Sequence, residues 1–140
     1  MAEEIPAPPE GFVKAEGRGS FSTHNGPYFY KHGTGELIEQ AFFALPRHAN
    51  GVGLVHGGML SAFMDGVLAH AAGQGSGLQA ITMHLSIDFL HMARAGDWIR
   101  GEARMTRGTR DIAFVEGRAY ARGVDLVRCS GLFKLMERRR

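Results

Sequence analysis

Three residues able to do chemistry stand in one apolar stretch of the chain. It reads ANGVGLVHGGMLSAFMDGVLAHAAG, from Ala49 to Gly73, and holds Asn50, His56 and Asp65. A lone carboxylate in such a run is costly unless it is paired, neutralised or put to work. The pattern leaves two readings of Asp65 open. It has a functional job, or it is structural, as an exposed helix position or as a partner for an arginine. His56, Gly57 and Gly58 stand where the helical pattern begins. A helix start offers free N–H groups and the positive end of the dipole. Glycines there let a ligand come close to the backbone. Such a site suits a developing oxyanion, although two glycines also make a tight turn. His56 and Asp65 are nine residues apart, about 13 Å along a helix. If both serve one reaction, a second copy of the helix must supply one of them. A two-fold dimer with antiparallel helices does this.

The elements that must hold these residues follow from periodicity. Residues 1–10 are proline-rich and read as loose, and GFVKAEG as a short helix or turn. PYFYKHG and GELIEQAFFALPRH read as two strands, with Pro46 closing the second. A glycine-rich loop then leads into a helix over Met59–Ala72, ended by glycine in GQGSG. In ITMHLSIDF, Ile81, Met83, Leu85, Ile87 and Phe89 alternate with Thr82, His84, Ser86 and Asp88, a period of two. Three more alternating segments follow, with turns at RGTRD and RGVD, which predicts a four-stranded meander. Their inner positions are small: Gly101, Ala103, Ala113, Gly117, Ala119 and Gly131. Small side chains let something thick lie on a sheet, and the helix is apolar nearly all round. The expectation is a sheet wrapped around one central helix. Residues 1–26 form a partly loose N-terminal segment and residues 27–140 the domain.

The totals exclude several classes. The chain has 140 residues, enough for one core. Its net charge is +2 and its arginines are scattered, which argues against nucleic-acid binding. The terminal run Glu137–Arg140 reads as a solvated end. The first residues do not resemble a signal peptide, and no apolar run reaches the ~20 residues of a membrane span. The single Cys129 fits a reducing compartment and is expected as an inert core thiol. A soluble cytoplasmic protein is expected, with no membrane partner. The histidines lack metal spacing, so no metal or cofactor is expected. GQGSG follows a helix and lacks dinucleotide-loop spacing, and no G-x-S-x-G elbow occurs. His70 reads as core or surface filler, and His84 as a surface or interface residue. Arg107 and Arg110 sit in a turn, where they either face solvent or hold the phosphates of a ligand.

The joint pattern Asn50, Gly53, His56, Gly57, Gly58 and then Asp65 resembles the hotdog-fold acyl-CoA thioesterases of the phenylacetate-degradation (PaaI) type. The resemblance covers about residues 27–136. It implies an α+β hotdog fold and hydrolysis of an acyl-CoA to a free acid and coenzyme A. It implies Asp65 as general base or nucleophile, and the Gly57 N–H polarising the thioester carbonyl from the other subunit. Asn50 and His56 would orient the thioester or water, Gly58 would line the substrate site, and Thr82 would be the hydroxyl on the strand after the helix. It also implies a homo-oligomer with shared sites, as a dimer or a tetramer of two dimers. Two rivals stay open: a hotdog dehydratase or hydratase acting on a hydroxyacyl thioester, and a non-catalytic acyl-CoA-binding protein.

Overall fold

The long helix α2 runs over Gly57–Ser76 in the computed structural model, which describes residues 3–138. His56 is its N-cap, accepting from the Gly58 N–H through Nδ1 at 2.8 Å. The helix continues four residues beyond the expected end at Ala72. It stops at Gly77, whose φ of +74° only glycine adopts freely. Met59, Leu60, Phe63, Met64, Val67, Leu68, Ala71 and Ala72 are buried on one broad face. The opposite stripe, with Asp65, Gly66, Ala69 and Gly73, stays open to solvent in part or whole. The helix is therefore covered on one side and not all round.

Seven antiparallel strands form the cover. They are β1 (Phe12–Lys14), β2 (Tyr28–Lys31), β3 (Ile38–Phe43), β4 (Gln79–Phe89), β5 (Trp98–Gly108), β6 (Ile112–Ala121) and β7 (Val124–Met136), in the order β1-β2-β3-β5-β6-β7-β4. A short helix α1 (Ser20–Asn25) lies between β1 and β2. Two expectations are corrected here. Phe12–Lys14, read as helix or turn, pairs with Phe29–Lys31 as an edge strand. The last four strands are not a simple meander, because β4 pairs with β7 at the far edge. The β4–β5 connection instead crosses the start of α2, where the Val55 N–H donates to the Ala93 carbonyl at 2.8 Å.

The small inner residues do what their size suggests. A Cβ on Gly101 would stand 2.7 Å from the Phe63 ring, and one on Gly117 3.1 Å from the Met64 methyl. The helix thus presses on the sheet at β5 and β6. Gly131 differs, since its neighbours are Phe133 and Leu85. Phe63 packs between Tyr28 and Phe42, with ring centroids 6.0 and 4.8 Å away. Burying each such ring contributes about 1.5–3 kcal/mol.

Strand β4 departs from strict alternation. Thr82 lies opposite Phe133, but His84 lies opposite Leu132, so Met83 is an extra residue without a partner. This β-bulge changes the phase of the strand. Ala80 and Thr82 share the helix-facing side with Leu85, Ile87 and Phe89, whose partners in β7 are buried. Thr82 is therefore not on the face of His84, Ser86 and Asp88, as unbroken period two predicts.

The N-terminal segment is tied to the turn Pro46–His48. The Arg47 guanidinium donates to Glu3 at 2.9 Å and to the carbonyls of His24, at 3.0 Å, and Gly26. Buried His48 accepts from the Leu45 N–H at 3.0 Å, and its Nε2 lies 2.7 Å from the Asn25 carbonyl. Burial pushes its imidazole below the ordinary value, with the charge of Arg47 adding to the effect.

Candidate active site

Asp65 projects from the edge of the open stripe of α2 and is partly buried. Its Oδ1 accepts from the Thr82 hydroxyl at 2.6 Å. Among the described residues Oδ2 has no partner, so one carboxylate oxygen is held and the other faces outward. The bulge at Met83 is what turns Thr82 toward the helix. No arginine pairs with Asp65 among the described residues, so its one side-chain partner there is Thr82.

The helix start carries the second group. Asn50 shapes its loop: Oδ1 accepts from Val52 N at 3.0 Å and Leu54 N at 3.1 Å, while its own N–H donates to the Leu54 carbonyl. Gly53 holds φ +79°, which explains the glycine three residues after Asn50. Among the described residues the Asn50 side-chain NH₂ has no acceptor, which leaves it free to donate. His56 accepts through Nδ1, which leaves the proton of a neutral ring on Nε2. That cap occupies the Gly58 N–H. The Gly57 N–H, one residue earlier, has no acceptor among the described residues and is the free donor of the turn. A Cβ on Gly57 would stand 3.4 Å from the Phe89 ring, so the approach there is narrow. His56, Gly58 and Met59 line a cavity of about 250 Å³ with Phe21, His48 and Ala62.

Within one chain the expected residues fall into these two groups and no closer. Asn50, His56, Gly57 and Gly58 gather at the helix start, and Asp65 and Thr82 meet two turns further on. Arg107 and Arg110 join neither. They are exposed at the β5–β6 turn, beyond Met105, whose side chain packs at Gly75 near the other end of α2. His84 is exposed on the outer face, and Cys129 is buried with its thiol pushed up to about 12 by burial. His48 and Phe21 were not expected at the site. The only sequence signal for them is Pro46, which starts the turn that brings His48 under the loop.

The chain thus presents a free backbone N–H at a helix start and, two turns on, a carboxylate held by a hydroxyl. The Thioesterase superfamily profile matches residues 52–127, more than half of the chain, and the chain belongs to that family. A phenylacetic acid degradation-related protein of Ralstonia eutropha JMP134 is 30% identical, with TM-score 0.67, over 71% of this chain and 76% of its own. The Escherichia coli PaaI protein from the phenylacetic acid degradation operon is 20% identical, with TM-score 0.68, over 72% and 73%. A Streptococcus pneumoniae TIGR4 protein solved with coenzyme A is 16% identical, with TM-score 0.74, over 81% and 88%. A Pseudomonas aeruginosa protein, an esterase by name, is 28% identical over 129 residues, covering 91% of this chain and 96% of its own. The fold is the PaaI-like hotdog expected from the motif. Among the described residues, no helix is long and apolar enough to cross a membrane.

Proposed function

We propose that the chain hydrolyses acyl-CoA thioesters in a site shared by two copies. The observation that carries this is the 2.6 Å hydrogen bond from Thr82 to Asp65, which holds one carboxylate oxygen and leaves the other free beside the open face of α2. Asp65 takes a proton from water as that water attacks the thioester carbon. The carbonyl oxygen becomes an oxyanion, accepted by the Gly57 N–H of the second copy. The tetrahedral intermediate collapses, the C–S bond breaks, and the thiolate of coenzyme A leaves and takes up a proton. In the nucleophilic variant of this mechanism the same carboxylate attacks the carbon, the C–S bond breaks as the thiolate of coenzyme A leaves, and water opens the resulting mixed anhydride. Asn50 and the Nε2–H of His56 are donors that orient the thioester, and Gly58 holds His56. Arg107 and Arg110 meet the phosphates of the coenzyme. A hotdog fold accommodates that coenzyme in the Streptococcus pneumoniae protein.

The second copy is supported by the free edge of β4. It is eleven residues long, with Ile81, Met83 and Phe89 exposed by 46%, 54% and 55%. An unpaired, apolar edge of this length favours pairing with another chain. Two-fold pairing of β4 with its copy runs the two α2 helices antiparallel and moves one helix start toward the other Asp65. The assay is release of free thiol from acyl-CoA, followed with a thiol reagent. A hydratase changes enoyl absorbance with the thioester intact, and a binding protein releases nothing. Either result with pure protein removes the proposal.

A further inference from the structure

An aromatic ring stands beside the free N–H at the start of α2. Phe89 ends β4 on its helix-facing side, opposite buried Val127 of β7. Two of its ring carbons lie 3.4 and 3.5 Å from the point where a Gly57 side chain would begin, which is van der Waals contact. Yet the residue is 55% exposed, so most of the ring is open to whatever comes to that N–H.

Ile87 and Leu85 continue the same side of the strand. Both are half-buried and rest on the core around α2. The three side chains make an apolar stripe that runs from the Gly57 N–H back toward Thr82, which holds Asp65. The polar residues of this strand, His84, Ser86 and Asp88, lie on the other face. A thioester carbon carries two unlike substituents. One is the sulfur, which leads to a charged coenzyme that must end in water. The other is the acyl chain. A carbonyl that accepts from Gly57 sets one of the two against the Phe89 ring, and the apolar stripe behind that ring suits the acyl one.

We propose that Phe89 selects the acyl group. Its ring packs on the α-carbon, admits straight chains that continue over Ile87, and rejects chains branched at the α-carbon. The inference rests on the acyl-CoA reading above. To accept the hydrogen bond, the carbonyl oxygen must come within about 3 Å of the Gly57 nitrogen. The helix start then lies on one side of the α-carbon, the ring on another, and the second copy's carboxylate above the carbonyl. A straight chain lies flat on the ring. A branch meets the ring and lifts the carbonyl from its donor, which costs the alignment that the reaction needs. Ile87 is two residues back, roughly 6.6 Å along the strand, within reach of a chain of about six carbons.

The test compares kcat/KM for butyryl-CoA and isobutyryl-CoA in the full-length protein, by thiol release. The two esters have the same coenzyme and the same atoms and differ only in the branch, so their ratio is untouched by a general loss of activity. The wild type should favour butyryl-CoA by about tenfold or more, the usual worth of one misplaced carbon. In Phe89→Ala the ratio should fall to within about threefold of one, through a gain on the branched ester. Phe89→Leu keeps an apolar side chain for the fold and should give a ratio between the two. A wild type that treats the esters alike overturns the proposal. So does a Phe89→Ala or Phe89→Leu variant that loses activity on both esters equally and keeps the ratio, because the ring then faces the sulfur side. Hydrolysis of no acyl-CoA, straight or branched, by the wild type would remove the acyl-CoA reading itself, a distinct result.

Discussion

The Thr82 hydroxyl reaches the Asp65 carboxylate at 2.6 Å because β4 carries one extra residue, Met83, beside it. Without the bulge, Thr82 would point away from the helix with His84. The hydrogen bond fixes the rotation of the carboxylate and leaves Oδ2 for the reaction. Thr82→Val should lower kcat about five- to tenfold, with KM little changed, and Thr82→Ser should restore most of it. A Val variant with wild-type kcat would make the contact incidental.

Asp65→Asn keeps the shape and the contact with Thr82 but loses the base. Turnover should fall at least about 100-fold. Acyl-CoA binding, followed by calorimetry, should persist. A variant holding a third of wild-type turnover would remove Asp65 from the mechanism.

Gly57→Val adds a branched side chain beside Phe89 while keeping the N–H. It should fold, and its kcat should fall by about 10²–10³, as for loss of an oxyanion donor. Mixed with Asp65→Asn under conditions of subunit exchange, it should recover part of the activity. Hybrids contain one site with both groups intact. Absence of recovery, once exchange is verified, counts against a shared site.

The packing of α2 on the sheet gives a stability prediction. Gly101→Val places a Cβ 2.7 Å from the Phe63 ring, where the helix and β5 already touch. Overpacking of this kind costs about 1–3 kcal/mol. The urea midpoint should drop, and an unchanged midpoint would mean that Phe63 moves aside freely.

His48 and His70 both have pKa values lowered by burial from the ordinary 6.5. As pH falls through 6.5, the unfolded chain binds these protons first. Stability from the two histidines is whole above that pH and is lost below it. Urea unfolding at pH 7.5 and 5.5 should show the drop, and His48→Gln with His70→Gln should flatten it. An equal drop in the double variant would assign the effect to other groups.

Much of this was legible in the residues. The helix was readable because a cap, an apolar face and a glycine stop coincide in one stretch. Its length was underestimated, since Gly73 and Gly75 look like breakers, whereas Gly73 sits on the open stripe and Gly75 leaves room for the Met105 side chain. The strand at Gln79–Phe89 was plain from alternation, yet its partner was not, because pairing with β7 spans some fifty residues of chain. The bulge left no trace. Ile81, Met83 and Leu85 are all apolar, so a skipped phase looks like an unbroken one. The meeting of Asp65 and Thr82 was therefore beyond periodicity, and only the likeness to a family pointed to it.

The Arg47 and His48 contacts bear on how the protein is to be cut and tagged. A chain trimmed to begin at Pro27 keeps every residue of the motif. It loses β1, α1 and the three carbonyls, of His24, Asn25 and Gly26, that hold the turn just ahead of Asn50. The ion pair with Glu3 is solvent-exposed and worth at most about 1 kcal/mol, so a tag fused ahead of it should do no harm. Removal of residues 1–26 should instead loosen the loop that carries Asn50 and His56, and show as weaker amide protection there. For crystallisation or immobilisation, the amino-terminal tail is safe to extend and unsafe to remove.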